Sequence, residues 1–508
     1  MKIDGRSLSL EDARRVLRGE ETSPRLTGAA RKAVRAARAM VVRRVSGDDA
    51  LYGINTGFGK LSRVRIDADD LEQLQENLLL SHAAGSGRPL PDSVARLSLL
   101  LRANTLARGN SGVRVELLER LLELFARGVV PIIPEQGSVG ASGDLAPLAH
   151  LALLLIGRGE AKLDGKKRSG RWLAKQLGLE PLRLQPKEGL ALINGTQIST
   201  ALAVDALLSA QNLARTADVA CAMTIEALRG SARAFDRRIH GLRAHAGQST
   251  VAANVRRLLR GSEVVKSHAG CDRVQDPYAL RCAPQVHGAA RDTFGHAGGV
   301  LEREMNSVTD NPLLFPEDDA ILNGGNFHAE PVGMVADFAA IAAAELASIS
   351  ERRIENLVNP DLSGLPPFLA RDAGLNSGFM IAQVTAAAIV SENKTLAHPA
   401  SVDSIPTSAG KEDHVSMATW AGRKFRMIVT NAERVVGIEL LAAAQALDLQ
   451  SPWIEPGKGA RAAYDAVRAA IPTLARDREF APDIERAAAL VRDGAVADAA
   501  AKAAGRID

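Results

Sequence analysis

From about residue 143 to the C-terminus, apolar residues recur at helical spacing through one long segment after another. This pattern limits the possible folds more than any other feature of the chain. The clearest segments are 145–156, 200–229, 332–358, 377–394 and 415–449. The last has Ala, Leu and Val on most faces, which predicts a helix buried on nearly all sides. Only 3% of residues are aromatic, so these helices must meet through small and aliphatic side chains at close approach. The Ala-rich stretch 460–504, with regular Arg and Asp, predicts amphipathic surface helices.

The N-terminal part is more mixed. MKIDG reads as a short strand, and Ser9 reads as a helix cap with Glu11 and Asp12 in the first turn. Helical patterns follow at 28–46, 68–82, 91–108 and 114–127. There is no alternating strand series, no sustained heptad and no repeat of fixed period. The expected fold class is mainly α with a small mixed N-terminal part.

Composition narrows the function. A formal charge of +4 over 508 residues is a weak field, and the Arg pairs (Arg14-Arg15, Arg43-Arg44, Arg237-Arg238, Arg352-Arg353) have acids nearby. No basic stripe interleaved with aromatics suggests nucleic acid. The odd set Cys221, Cys271 and Cys282 argues against a disulfide framework and for a reducing compartment. The first twenty residues are too charged for a signal peptide. The apolar run at 148–156 is shorter than the ~20 residues a membrane span needs. A cytoplasmic protein with no membrane or nucleic-acid partner is expected.

The loops hold the chemistry. Segments 52–59, 134–147, 194–197, 275–288, 323–330 and 403–416 combine glycine, asparagine and reactive side chains, and two of the three tyrosines, Tyr52 and Tyr278, lie in them. Residues 137–150 read GSVGASGDLAPLAH. This is not a G-x-S-x-G nucleophile elbow, and the chain has no P-loop and no dinucleotide-binding glycine pattern. An isolated Ala-Ser-Gly is ordinarily a tight turn before a helix. Bent tightly enough, however, it permits a reaction: the Gly143 amide nitrogen attacks the Ala141 carbonyl carbon and water leaves. Dehydration of Ser142 then creates an exocyclic methylene. The product is an electrophile that no standard side chain supplies.

GSVGASGDLAPLAH resembles the signature of the histidine/phenylalanine ammonia-lyase family, whose prosthetic group is methylidene-imidazolone. YGINTGFGKL, LLLSHAAGSG, EGLALINGTQ, VQDPYALRCAPQVHG, VTDNPLLF, GGNFHAEPV, NSGFMIAQVTAAA and EDHVSM also resemble family segments, in family order, from about residue 50 to 425. The resemblance implies a long-helix bundle (111–508) behind a smaller mixed α/β part with an active-site loop (1–110). It also implies a homotetramer with shared active sites. It implies a self-made methylidene-imidazolone at Ala141, Ser142 and Gly143, with no added cofactor or nucleotide.

The resemblance further implies roles for single residues. Tyr52 is the general base and Arg281 the clamp on the substrate carboxylate. Tyr278 and Asn194 orient the electrophile and the amine, although an Asn closing a turn accounts for Asn194 equally. Gln275 and Phe327 belong to the pocket wall. His82 and Glu412 suit an imidazole, and Met380 matches the same branch. The substrate implied is L-histidine, giving trans-urocanate. Lys411, beside Glu412, departs from the asparagine-glutamine pair common at positions 410 and 411 and bears on substrate choice. A phenylalanine or tyrosine lyase, a 2,3-aminomutase and an inactive helical scaffold remain alternatives. No H-E-x-x-H pair or cysteine spacing indicates a metal, and His328 and Glu330 read as structural hydrogen-bonders.

Overall fold

A computed structural model of the chain describes all residues except Ser46, Asp48, Asp49, Arg63, His268 and Cys271 to Arg273, and every side chain among them except that of Lys60. The expectation for Cys271 therefore lies outside the described residues. Cys221 and Cys282 are free thiols, and burial pushes the Cys221 thiol up to about 12.

Helices carry most of the chain, as the periodicity predicts. The five long patterns appear as Leu145–Ala152 with a 3-10 turn over Leu153–Ile156, Gln197–Ala227, Glu330–Val358, Met380–Leu396 and Ala418–Asp448. Ser9 caps Leu10–Leu17 through a reciprocal pair: its hydroxyl accepts from the Asp12 N–H at 3.1 Å, and the Asp12 carboxylate accepts from the Ser9 N–H at 3.0 Å. The helix Glu330–Val358, not the run at 148–156, is long and apolar enough to cross a membrane by length and composition. Of its apolar window 67% is buried inside the protein, as in a core helix.

The chain divides into two compact units. One comprises Met1–Asp205, Gly298–Asp337 and Pro399–Arg423. It contains the short strand Lys2–Ile3, paired in parallel with Arg25–Leu26. It also holds a hairpin, Glu160–Leu163 with Lys166–Ser169, that the helical reading did not anticipate. Asp164 and Gly165 turn that hairpin with φ of 51° and 72°, the two-residue turn an Asp-Gly pair favours. The helix Asp92–Ala107 is buried on nearly every face. The next helix, Val115–Ala126, buries one stripe of Leu117, Leu118, Leu121, Leu122, Leu124 and Phe125.

The other unit comprises Ala206–Ala297, Phe338–His398 and Lys424–Asp508. The Ala-rich C-terminal stretch forms three amphipathic helices, Lys458–Ala470, Ala481–Arg492 and Ala495–Ala504. Small residues set their approach: a methyl group added at Gly437 would lie 2.9 Å from the Ala488 backbone nitrogen. Within this aliphatic packing sits a buried ion pair of arginine and glutamate. The Glu439 and Arg353 side chains are both fully buried. Arg353 donates from Nε and, at 2.8 Å, from Nη2, and Thr224 and Ser350 donate their hydroxyls to the same carboxylate at 2.8 and 2.6 Å.

Removing one partner of such a pair strands the other charge in an apolar interior, which costs about 3–5 kcal/mol. Glu439→Leu is therefore expected to lower the thermal midpoint markedly. A variant that melts with the unsubstituted protein would contradict this description of the core.

Candidate active site

The site is organised by one backbone contact. Gly143 has φ +72° and pairs in parallel with Gly195. A Cβ on Gly143 would fall 2.3 Å from the Gly195 carbonyl oxygen and 2.5 Å from its nitrogen, so both conformation and space require glycine. The Asp144 N–H donates to the same Gly195 carbonyl at 2.7 Å.

Side chains hold this contact from both directions. The fully buried Asp144 carboxylate accepts from Ser138 Oγ at 2.8 Å, Ser199 Oγ at 2.6 Å, Thr419 Oγ1 at 2.8 Å and the Ser199 N–H at 2.8 Å. Arg102, also fully buried, donates to the Asn194 carbonyl at 3.0 Å and to Gln197 Oε1 at 2.6 Å. Burial pulls its guanidinium down to about 10, with Asp310 opposing, so it stays charged at neutral pH. The Gly140 carbonyl accepts from the Ala329 N–H at 3.1 Å and Ser416 Oγ at 2.9 Å.

Ser142 projects from this turn into a cavity of about 1120 Å³ whose lining also includes Tyr52, His82, Asn194, Phe327 and Glu412. All of these belong to the first unit. Ala141 is buried. Ser142 Oγ donates to Glu412 Oε1 at 2.7 Å, and Thr407 Oγ1 donates to Oε2. Asn194 Nδ2 donates to the Ser142 carbonyl at 2.8 Å, while its Oδ1 is buried with no hydrogen-bond partner.

His82 Nδ1 lies 2.8 Å from the Leu78 carbonyl. A carbonyl only accepts, so Nδ1 carries the hydrogen and Nε2 is left as an acceptor. Burial lowers the His82 pKa below its ordinary 6.5, with the Leu78 bond and the Glu412 charge opposing. Burial raises the Tyr52 pKa above the usual phenol value; the Gly59 N–H lowers it, and the Glu412 and Asp310 charges raise it further. In a single chain the phenol is therefore an O–H donor at neutral pH, and a base role requires positive charge nearby.

Lys411 is exposed and stands on the cavity wall beside Glu412. Sequence reasoning missed Asn311 and Asn323, which also line the cavity, and the Thr407 hydroxyl that holds Glu412. The motif VTDNPLLF contained Asn311 but suggested no role for it. Gln275, Tyr278, Arg281 and Met380 fall in the second unit and are not among the cavity-lining residues. Tyr278 is 70% exposed. The Arg281 guanidinium stacks 4.5 Å from its ring centroid, and Arg281 Nε donates to the Asp276 carbonyl at 3.0 Å.

The family model described as aromatic amino acid lyase matches residues 8–469. The histidine ammonia-lyase of Anaeromyxobacter dehalogenans is 56% identical, covering 97% of this chain and 99% of that protein. Among solved structures, the histidine ammonia-lyase of Trypanosoma cruzi is similar with a TM-score of 0.91 at 44% identity, over 99% of this chain and 95% of that one. Tyrosine aminomutase from Streptomyces globisporus gives 0.94 at 38% identity, over 100% and 99%.

Because burial lowers the His82 pKa, the stability gained from its neutral form is complete above pH 6.5 and is lost as pH falls through the lowered value. Between about pH 7 and about pH 5, His82→Gln should therefore lose less of its thermal midpoint than the unsubstituted protein. Equal losses in the two proteins would contradict the neutral assignment.

Proposed function

The chain belongs to the aromatic amino acid lyase family, and we propose that it removes the amino group of L-histidine to give trans-urocanate and ammonia. It is a carbon–nitrogen lyase. The observation that carries the substrate reading is the pairing of His82 and Glu412 on one cavity with Ser142.

Ala141, Ser142 and Gly143 fit the precursor of methylidene-imidazolone. Gly143 has no side chain and is pressed against Gly195, the turn is clamped from both sides, and Asn194 leaves a buried oxygen without a donor. Closure joins the Gly143 nitrogen to the Ala141 carbonyl carbon with loss of one water, and Ser142 loses a second. That second loss releases Glu412 Oε1 from the serine hydroxyl. Once formed, methylidene-imidazolone supplies an electrophilic carbon that takes up the amine and makes it a better leaving group.

The remaining work falls to this chain's side chains. His82 Nε2 and the Glu412 carboxylate are both acceptors, so a neutral imidazole satisfies one of them with its single N–H, and its protonated form satisfies both. A phenyl ring satisfies neither, and leaving buried acceptors unpaired is how a polar site rejects an apolar analogue. Asn194 Oδ1 accepts from the substrate ammonium, and Phe327 packs against the ring. Tyr52 removes the β-proton. Arg281 grips the substrate carboxylate and Tyr278 orients the amine, both from a second copy of the chain, with Gln275 beside them. A guanidinium brought close to Tyr52 supplies the positive charge its phenolate needs.

A homotetramer in the cytoplasm is part of the same proposal. Its support is the exposure of Tyr278 and of apolar side chains in the second unit: Phe338 and Ile341 on one helix, Ile381 and Val384 on another. A 2,3-aminomutase is the second reading, favoured by the likeness to tyrosine aminomutase.

Purified protein supplied separately with L-histidine, L-phenylalanine and L-tyrosine should form urocanate from histidine, with kcat/KM on phenylalanine lower by roughly 10⁴. Ser142→Ala should abolish turnover, and Tyr52→Phe should lower kcat by roughly 10²–10⁴. A β-amino acid product in place of ammonia would select the aminomutase. Preference for phenylalanine or tyrosine would contradict the reading of His82 and Glu412.

A further inference from the structure

His328, Glu330 and His414 lie outside the roles assigned above, and together they have the chemistry of a cation site. Each presents one ligand atom, and the three atoms lie within 4.8 Å of one another. All three residues belong to the first unit. Their separation in sequence gives no metal-binding spacing, so the fold alone assembles them.

The Glu330 carboxylate makes the cluster unusual. Its Oε2 is buried and has no hydrogen-bond partner. Glu330 opens the helix Glu330–Val358, whose positive end favours an anion nearby but gives Oε2 no donor. A buried carboxylate oxygen without a partner is costly, and a cation removes that cost directly. The expectation that His328 and Glu330 serve as structural hydrogen-bonders therefore holds for only one of them. His328 Nε2 donates to the His414 carbonyl at 3.2 Å.

We propose that His328, Glu330 and His414 bind a divalent cation of borderline softness, with zinc as the best match. Two imidazoles and one carboxylate form a donor set that zinc accepts, with water as fourth ligand. Bonds of about 2.0–2.2 Å place tetrahedral ligands about 3.4 Å apart, so the present spread must close by somewhat more than an ångström. His414 is exposed and free to make that adjustment, and its ring already lies 5.6 Å from that of His328, centroid to centroid.

The position gives the cation structural leverage over the cavity. Phe327 and Glu412, on the two segments that carry these ligands, both line it. Both segments also fasten to the Gly140 carbonyl, through the Ala329 N–H and Ser416 Oγ. A bound cation locks these two segments together close to where both meet the turn that carries Ser142. The proposal stands independently of which amino acid the cavity accepts.

The test uses full-length protein stripped with a chelator and titrated with Zn²⁺ alone in a calorimeter, then with Co²⁺ as a spectroscopic probe. One zinc should bind per chain, and the cobalt form should show the intense visible bands of four-coordinate geometry. His414→Ala changes an exposed residue and should retain the native circular dichroism. It should weaken zinc binding by roughly 10–100-fold or more, as should His328→Ala. His82→Ala should leave zinc affinity unchanged, which separates this site from the cavity imidazole. Absence of binding, only the weak bands of octahedral cobalt, undiminished affinity in both His328→Ala and His414→Ala, or loss of affinity in His82→Ala would each overturn the proposal.

Discussion

The contact of Gly143 with Gly195 is the constraint on which the rest of the site depends. Two backbones meet where no Cβ can stand on Gly143. The meeting fixes where Ser142 projects, where the Asn194 amide points and how closely the Ala-Ser-Gly turn is bent. Holding it takes two fully buried charged groups, Asp144 on one side and Arg102 on the other. Each makes several hydrogen bonds, the condition under which a burial of this kind is tolerated, although Arg102 Nε is buried without a partner. The surrounding helices can therefore be aliphatic and generic, because specificity of position resides in a small polar scaffold.

That division explains what the sequence discloses. The long helices are legible because their periodicity is local, and Ser9 is legible as a cap because Asp12 stands three residues away. Tyr52, Ser142, Asn194, Phe327 and Glu412 are legible because each lies in one of the site-like loops within a recognisable family segment, and His82 because it ends the helix Leu71–His82 in another such segment. The hairpin over residues 160–169 carried its signal in Asp164-Gly165, but the neighbouring strands are short and charged, with little alternation to mark them. Thr407 and Asn323 act through hydrogen bonds or wall contacts that neither spacing nor residue type announces. Asp144 stands in sequence between the Ala-Ser-Gly turn and the helical pattern at 145–156, which gives it no particular role. Its four donors come from positions 138, 199 and 419, which only folding brings together.

In a single chain the cavity's electrostatics oppose the base role proposed for Tyr52. Glu412 and Asp310 raise the Tyr52 pKa on top of burial, which opposes the phenolate a base requires. The guanidinium of Arg281, which could reverse that effect, stands in the second unit beside an exposed Tyr278. The proposed assembly of copies would answer both facts at once: Tyr278 and Arg281 would gain a ligand to bind, and the phenol a positive neighbour. On this account oligomerisation and catalysis are one requirement.

The central claim is that Ala141, Ser142 and Gly143 become a ring with an exocyclic methylene. Its most direct measurement is the intact mass of the purified protein, with peptide mapping across residues 137–150. The account predicts a mass lower than that of the encoded chain by two water molecules, with the deficit confined to that peptide and absent from Ser142→Ala. A protein of full encoded mass, with an unmodified 137–150 peptide, would contradict it.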